Sequence, residues 1–217
     1  MPYHHNYLDK VCQPKFCNNL HCSEDTLTEL NPVCDCNFCL DYIPLTDGDE
    51  TTEHSLRYAI QECKDKLPGI DESERWTLPE YGGHISQWDV SQVTDMSEMF
   101  ANETDFNEDI SQWDVSNVQN MDGMFFASSF DQDIGAWIVS NVNSMNGMFA
   151  HTLSFNKDIS AWDVTNVSSM SEMFYGANNF NQNLSGWCVE KITTEPERFT
   201  FDGHTDFAEN KNTKRRK

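Results

Sequence analysis

Apolar residues recur along the second half of the chain at a nearly constant spacing, which indicates an internal repeat. Five tryptophans are spaced 25, 24, 25 and 25 residues apart, at Trp88, Trp113, Trp137, Trp162 and Trp187. A valine, two methionines and a phenylalanine follow each of the first four at constant offsets, beginning with Val93, Met96, Met99 and Phe100. A repeat of this length cannot bury a core alone, so it predicts units that pack on their neighbours.

The spacing of apolar residues changes within each repeat. The stretch FNEDISQWDV (106–115) separates its apolar residues by polar ones and predicts extended chain, whereas VQNMDGMF (118–125) has an apolar residue at every third position, which favours a 3-10 or single α turn. Together they predict a right-handed, leucine-rich-repeat-like solenoid of about five coils over residues 85–202, with short parallel strands about 4.8 Å apart. We interpret the repeated tryptophans as its core and not as a cofactor site.

A helix is predicted ahead of the repeats, within a capping segment and linker at 51–84. Its apolar residues fall on one face, at Leu56, Ile60, Cys63 and Leu67. Thr51 or Thr52 is suited to cap its start, and Pro68 and Gly69 to end it.

The repeat FNEDISQWDVSNVQNMDGMF resembles that of the BspA-like leucine-rich-repeat surface proteins, which is also the repeat of unknown function seen in mycoplasma lipoproteins. The resemblance covers about residues 85–201. It implies a surface-exposed, non-catalytic protein with an adhesion or binding role, and it names no ligand. YGGHISQWDVS resembles the N-terminal cap of such arrays and LSGWCVEKITTEPERF their last unit, where a second cysteine usually follows the one matching Cys188; this sequence has none after it.

Residues 1–50 are predicted to form a separate cysteine-rich module. It holds six of the eight cysteines, namely Cys12, Cys17, Cys22, Cys34, Cys36 and Cys39. Six cysteines allow fifteen disulfide pairings, and disulfides are one interpretation. The other is a zinc site, in which the pair Cys36 and Cys39 is completed by Cys17 and Cys22, or by His21.

Charge narrows the choice of partner. The chain has 36 acidic and 14 basic residues, a net charge of -22, which argues against nucleic acid and against an anionic membrane surface. No apolar run has the length of a membrane span. Proteins and glycans remain as partners. The last segment, 203–217, ends in KNTKRRK and is predicted to be a basic, disordered tail.

Catalytic motifs are missing from the sequence, and no cofactor is predicted. We therefore expect a non-catalytic binding or adhesion surface. Cysteine density favours an extracellular or cell-surface protein. The start of the chain lacks the apolar core of a signal peptide, which favours the alternative of a cytoplasmic interaction scaffold.

Aspartates recur at one position of successive repeats, at Asp109, Asp133 and Asp158. In-register stacking would bring these like charges close together. They are candidates for a row of weak Ca²⁺ sites, because hard cations prefer carboxylate oxygens. The alternative is that each carboxylate caps a local backbone amide in an Asx turn.

Overall fold

The computed structural model describes residues 44–52, 54–66, 72–193 and 196–199. Its helices and strands precede the repeats or lie at their start. In chain order they are helix α1, Leu56–Lys64, helix α2, Glu72–Arg75, strand β1, Thr77–Leu78, and strand β2, Gly83–His84, with single 3-10 turns at Pro79–Tyr81 and Ile85–Gln87. The two strands pair antiparallel, with Thr77 opposite His84.

The predicted helix is present as α1, but its start differs from the prediction. Ser55 is the N-cap, and its hydroxyl accepts a hydrogen bond from the Tyr58 amide at 3.0 Å. Thr51 donates instead to the Asp49 carboxylate, in the turn before the helix. The capping oxygen stabilises amides that have no partner within the helix. The apolar face of α1 is buried, so this helix closes the N-terminal side of the repeat core.

The prediction of a leucine-rich-repeat-like, right-handed solenoid is wrong. In the described part of the chain the repeats form neither strands nor regular helix, and the one sheet is the antiparallel pair β1 and β2. The β-pairing between successive repeats consists of isolated parallel bridges, which join Asp95 to Asn120, Asn120 to Ser144, and Ser144 to Ser169. The repeat is instead a succession of bends and hydrogen-bonded turns.

The hydrogen bonds made by the backbone amides of residues 96–102 explain why the repeats do not form strands. Amides here alternate between the next repeat and their own turn. The Glu98 amide donates to the carbonyl of Asp122 at 2.8 Å, whereas the Ala101 amide donates back to Glu98 at 3.1 Å. A parallel ladder requires extended residues with evenly spaced bonds between strands. Glu98 has a φ of 57°, which turns the chain before a second bridge can form.

The repeated apolar residues form one continuous core. Trp88, Trp113, Trp137, Trp162 and Trp187 are each only 3 or 4% exposed. The indole N–H of each of the last four donates to an isoleucine carbonyl one repeat earlier, as Trp137 does to Ile110 at 3.2 Å. Burial of the ring therefore leaves no indole donor unsatisfied, which would cost free energy in an apolar core.

Phenylalanine rings form two parallel stacks beside the tryptophans. Phe100, Phe125, Phe149 and Phe174 are stacked at centroid distances of 5.6 to 5.8 Å. The second stack is Phe106, Phe130, Phe155 and Phe180. Rings in edge contact end the first stack: Trp76 meets Phe100 at 6.0 Å and Phe199 meets Phe174 at 5.4 Å. Trp76 lies outside the repeat pattern, so sequence periodicity did not find it.

Residues 44–50 belong with α1 and the repeats, although they were predicted to be part of the cysteine-rich module. The Leu45 amide donates to the Asp89 carbonyl at 2.8 Å, and Leu45 is buried in the core. The six N-terminal cysteines and the tail at 203–217 lie outside the described residues. None of the described helices has the length and apolar content that crossing a membrane requires.

Candidate binding groove

A groove of about 450 Å³ runs across the repeats on one side of the core, and we call it the repeat groove. One position of each repeat, the residue before the second methionine or its equivalent, lines it, namely Glu98, Gly123, Gly147, Glu172 and Glu197. The position before it also contributes, through Asp122, Asn146 and Ser171. The groove therefore combines equivalent residues from successive repeats.

Backbone geometry explains why glycine occurs at the position before the second methionine. Glu98, Gly123, Gly147 and Glu172 have φ between 57° and 60°, in the left-handed region. Glycine adopts this conformation without steric cost, and two of the four are glycine. The groove is consequently open along the middle of this row, because Gly123 and Gly147 place no side chain between Glu98 and Glu172.

Hydrogen bonds between repeats hold the base of the groove. The amides of Glu98, Gly123, Gly147 and Glu172 each donate at 2.8 Å to a carbonyl of the next repeat. A second row is formed by side chains. Asp122 accepts from the Ser144 hydroxyl and the Asn146 amide, both at 2.6 Å, and Asn146 in turn accepts from the Ser169 hydroxyl and the Ser171 amide. Because these polar groups are already hydrogen-bonded to one another, the base of the groove is a preformed surface.

Aromatic side chains border the groove at Phe126. Phe126 is 37% exposed and lines the groove directly. Its ring meets the exposed His151 ring edge-on at 5.7 Å, and His151 meets Tyr175 edge-on at 5.2 Å. The His151 ring lies over Gly176, where a Cβ would come within 2.5 Å of its Nδ1. An apolar ring, that of Phe126, thus lies beside the polar base.

Acidic residues dominate the charge of the groove. Four of its lining residues are acidic, namely Glu98, Asp122, Glu172 and Glu197. A cation beside them is Arg198, whose Nη1 lies 3.4 Å from Glu172 and whose guanidinium carbon lies 5.6 Å from the centroid of the Tyr175 ring. Among the described residues, no ion pair joins Glu98 or Glu197 to a cation. The groove therefore suits a positively charged or hydrogen-bonding ligand.

Asp109, Asp133 and Asp158 lie outside this groove and serve as local caps. Each Oδ1 accepts from the backbone amide two residues later at 2.9 or 3.0 Å, as in an Asx turn. Hydrogen bonds from the backbone amide and hydroxyl of Ser111 lower the pKa of Asp109, and those from the hydroxyl and amide of Ser160 lower the pKa of Asp158. Across the described chain, no three His, Cys, Asp or Glu side chains are arranged to hold a metal ion.

The residue that follows the second phenylalanine of a repeat, an asparagine or in one case Asp131, bridges neighbouring repeats. Asn107 accepts from the Asp131 amide at 2.8 Å, Asp131 from the Asn156 amide at 3.2 Å, and Asn156 from the Asn181 amide at 3.0 Å. This row fixes the register between neighbouring repeats.

The cysteine candidates fall into two groups. The proposed disulfide or zinc cysteines of the N-terminal module lie outside the described residues. Cys63 is buried on α1, and burial raises the pKa of its thiol to about 12. Cys188 is half-buried, and neither it nor Cys63 is bonded to a described cysteine.

The repeat groove was not predicted from the sequence. Its signal was present, since Gly123 and Gly147 replace glutamate at one repeat position, but a glycine substitution alone does not show which way the surface faces. Phe126 gave a second signal, as an aromatic residue added beside the repeated Phe125.

Together, the fold and the groove define a protein of stacked short repeats. On one side, polar groove residues recur with the same period as the repeats. The family model described as "Mycoplasma protein of unknown function, DUF285" matches residues 76–139 and 126–213, well over half of the chain. The chain belongs to this family. Searches of the curated proteins and of the solved structures found no match.

Proposed function

We propose that the protein is a non-catalytic binding or adhesion module that takes its ligand in the repeat groove, as expected for a BspA-like surface protein. The observation that carries this proposal is the groove itself, which has a preformed base and an exposed aromatic side chain at Phe126. Preorganised polar groups beside an apolar contact favour binding, because little conformational entropy is lost on association.

The repetitive acidic surface supports binding more than catalysis. General acid and base groups need environments that separate their pKa values. The equivalent aspartates Asp109 and Asp158 lie instead in matching turns and have pKa values shifted in the same direction. Side chains of this kind stabilise turns and leave the groove as the distinctive surface.

A ligand screen with paired variants tests the groove. The full chain would be probed on glycan and synthetic peptide arrays, and ligands would then be titrated against Phe126→Ala and Leu153→Ala. Both changes truncate an exposed apolar side chain, at 37 and 55% exposure, but only Phe126 lines the groove. We expect Phe126→Ala to weaken binding and Leu153→Ala to leave it unchanged. Absence of any ligand, or equal effects of the two variants, would contradict the proposal.

We further propose that the protein acts outside the cell, on the basis of its six clustered cysteines. Thiol counting on protein from its native source tests this. An extracellular protein should have most of these cysteines oxidised. Eight free thiols would instead favour the cytoplasmic scaffold, whose surface could use the same groove for a protein partner.

A further inference from the structure

At the repeat groove, one lining carboxylate and an aromatic ring outside the lining already hold a cation. Arg198 lies 3.4 Å from the Glu172 carboxylate and 5.6 Å from the Tyr175 ring. An ion pair and a cation–π contact thus act on the same guanidinium. The protein thus binds one of its own arginine side chains with a carboxylate and an aromatic ring.

A second pair of the same chemistry lies further along the groove. Glu98 and Glu172 occupy equivalent positions with φ of 57° and 59°, and Phe126 and Tyr175 are also equivalent, but Glu172 and Tyr175 belong to one repeat whereas Glu98 and Phe126 belong to neighbouring repeats. The side chains of Glu98 and Phe126 flank Gly123: a Cβ built there would lie 3.3 Å from Glu98 Cγ and 3.9 Å from Phe126 Cβ. Within the described chain, no cation is paired with Glu98.

From these two pairs we infer that the groove binds an extended basic peptide segment, with one Arg or Lys side chain seated between Glu98 and Phe126. This inference rests on the proposed function and names its ligand class. The carboxylate would pair with the cation, and the exposed ring would contact its apolar stem or its charged face. Glu172 and Glu197 extend the acidic surface along the groove for a second basic residue.

The dimensions of the groove fit a short extended segment. Three repeat steps separate Glu98 from Glu172, and the 2.8 Å amide–carbonyl bonds between these repeats correspond to a backbone spacing of about 4.8 Å for each step. The total, about 14 Å, is the length of about four extended residues. A net charge of -22 would also attract a basic partner over longer distances.

The test uses the full chain and a fluorescently labelled peptide, Arg-Ser-Ala-Ser-Arg, which is blocked at both ends and has its two arginines on one face when extended. Fluorescence anisotropy would compare it with the same peptide carrying citrulline, which keeps the shape of arginine but lacks its charge. We expect binding of the arginine peptide to be at least about tenfold tighter, and to weaken as NaCl is raised to about 0.5 M.

Variants locate the contact. Glu98→Gln should weaken binding by about fivefold or more, while Glu190→Gln, which removes an exposed carboxylate outside the groove, should not change it. Arg198→Ala should tighten binding by about two- to fivefold, because it releases Glu172 from its internal cation. A general acidic surface would not distinguish Glu98 from Glu190. Thermal melts of each variant exclude loss of fold as the cause.

Two results would overturn this inference: equal binding of the citrulline peptide, or unchanged binding by Glu98→Gln. The proposed function would survive either result if another ligand lost affinity with Phe126→Ala and kept it with Leu153→Ala. A failure of both experiments would remove the groove itself as a binding site.

Discussion

At the scale of single residues, each repeated tryptophan combines burial with a satisfied donor. Trp137 is 4% exposed, and its indole N–H donates to the Ile110 carbonyl. The same contact recurs at Trp113, Trp162 and Trp187. A tryptophan therefore links its repeat to the preceding one through both apolar area and a hydrogen bond.

Trp137→Ala should lower the free energy of unfolding by about 3–5 kcal/mol, because it removes a buried aromatic side chain and leaves a cavity. Urea denaturation followed by circular dichroism measures the change. The neighbouring Ile138→Ala is a suitable control, since Ile138 is 61% exposed; we expect a change within about 0.5 kcal/mol. Similar losses for the two variants would contradict the buried position of the tryptophan.

A second residue, Asp47, satisfies amides at the start of the repeats. Its Oδ1 accepts from the amides of Thr94 and Asp95 at 2.8 and 3.0 Å, and its Oδ2 from the Thr94 hydroxyl. Partial burial raises the pKa of this carboxyl, but the hydrogen bonds from Thr94 and Asp95 and the charge of Arg57 outweigh it, and the net pKa is lowered.

Asp47→Asn should therefore destabilise the protein in a pH-dependent manner. A group with a lowered folded-state pKa stabilises the fold above its unfolded pKa, near 4, and loses this contribution as pH falls through the folded pKa. Because Asp47 is exposed and solvent screens its charge, we expect a loss of only about 0.5–1 kcal/mol at neutral pH, which shrinks below about pH 4. Urea midpoints at several pH values measure it, with Glu190→Gln as control. A difference between Asp47→Asn and wild type that is constant with pH would contradict the role of the charge.

At the scale of the element, left-handed residues decide the path of each repeat. Besides Glu98 and Glu172, the left-handed region holds Asn102, Ala127 and His151. Side chains with a Cβ adopt this conformation at a cost of about 1–2 kcal/mol. The hydrogen bonds between repeats compensate, since the Ala127 amide donates to the Ala150 carbonyl at 2.8 Å.

Ala127→Gly should raise the free energy of unfolding by about 0.5–1 kcal/mol, because relief of strain exceeds the added entropy of the unfolded chain. Ala127 has a φ of 52°, whereas Ala136 is an exposed residue outside the left-handed set. Ala136→Gly should therefore lower stability by a similar amount. Chemical denaturation of both variants measures the contrast, and destabilisation by both would be inconsistent with strain at Ala127.

At the scale of the whole molecule, the repeats contact their nearest neighbours through matching rows of hydrogen bonds and stacked rings. The phenylalanine stacks and the asparagine row each connect residues 24 or 25 positions apart in sequence. In such an array stability is approximately a sum of repeat and interface contributions. Removal of one full period should therefore leave each remaining interface intact.

Deletion of residues 132–156 joins Asp131 to Lys157 and preserves the register, because Asp131 and Asn156 are equivalent. We expect a cooperative but lower melting transition, since one interface is lost. Deletion of residues 132–143 removes about half a period and should abolish cooperative folding. Thermal melts by circular dichroism distinguish the two. Equal loss of structure would show that the repeats do not act as interchangeable units.

The sequence by itself determined the repeat period, the identity of the core residues and the presence of α1. These features follow from the spacing of apolar side chains, which reports burial directly. It also allowed the aspartates at 109, 133 and 158 to be weighed as turn caps, since an Asx turn involves only residues two positions apart.

The tertiary structure alone decided the backbone path, the role of the Asn107 row and the repeat groove. A strand and a chain of turns can share one apolar spacing, and the choice depends on which amides pair with the neighbouring repeat. Glu98, whose left-handed φ stops the parallel ladder, carries no local signal for that conformation. Likewise Glu98 and Phe126 are 28 residues apart, and only the packing of one repeat on the next brings them to either side of Gly123.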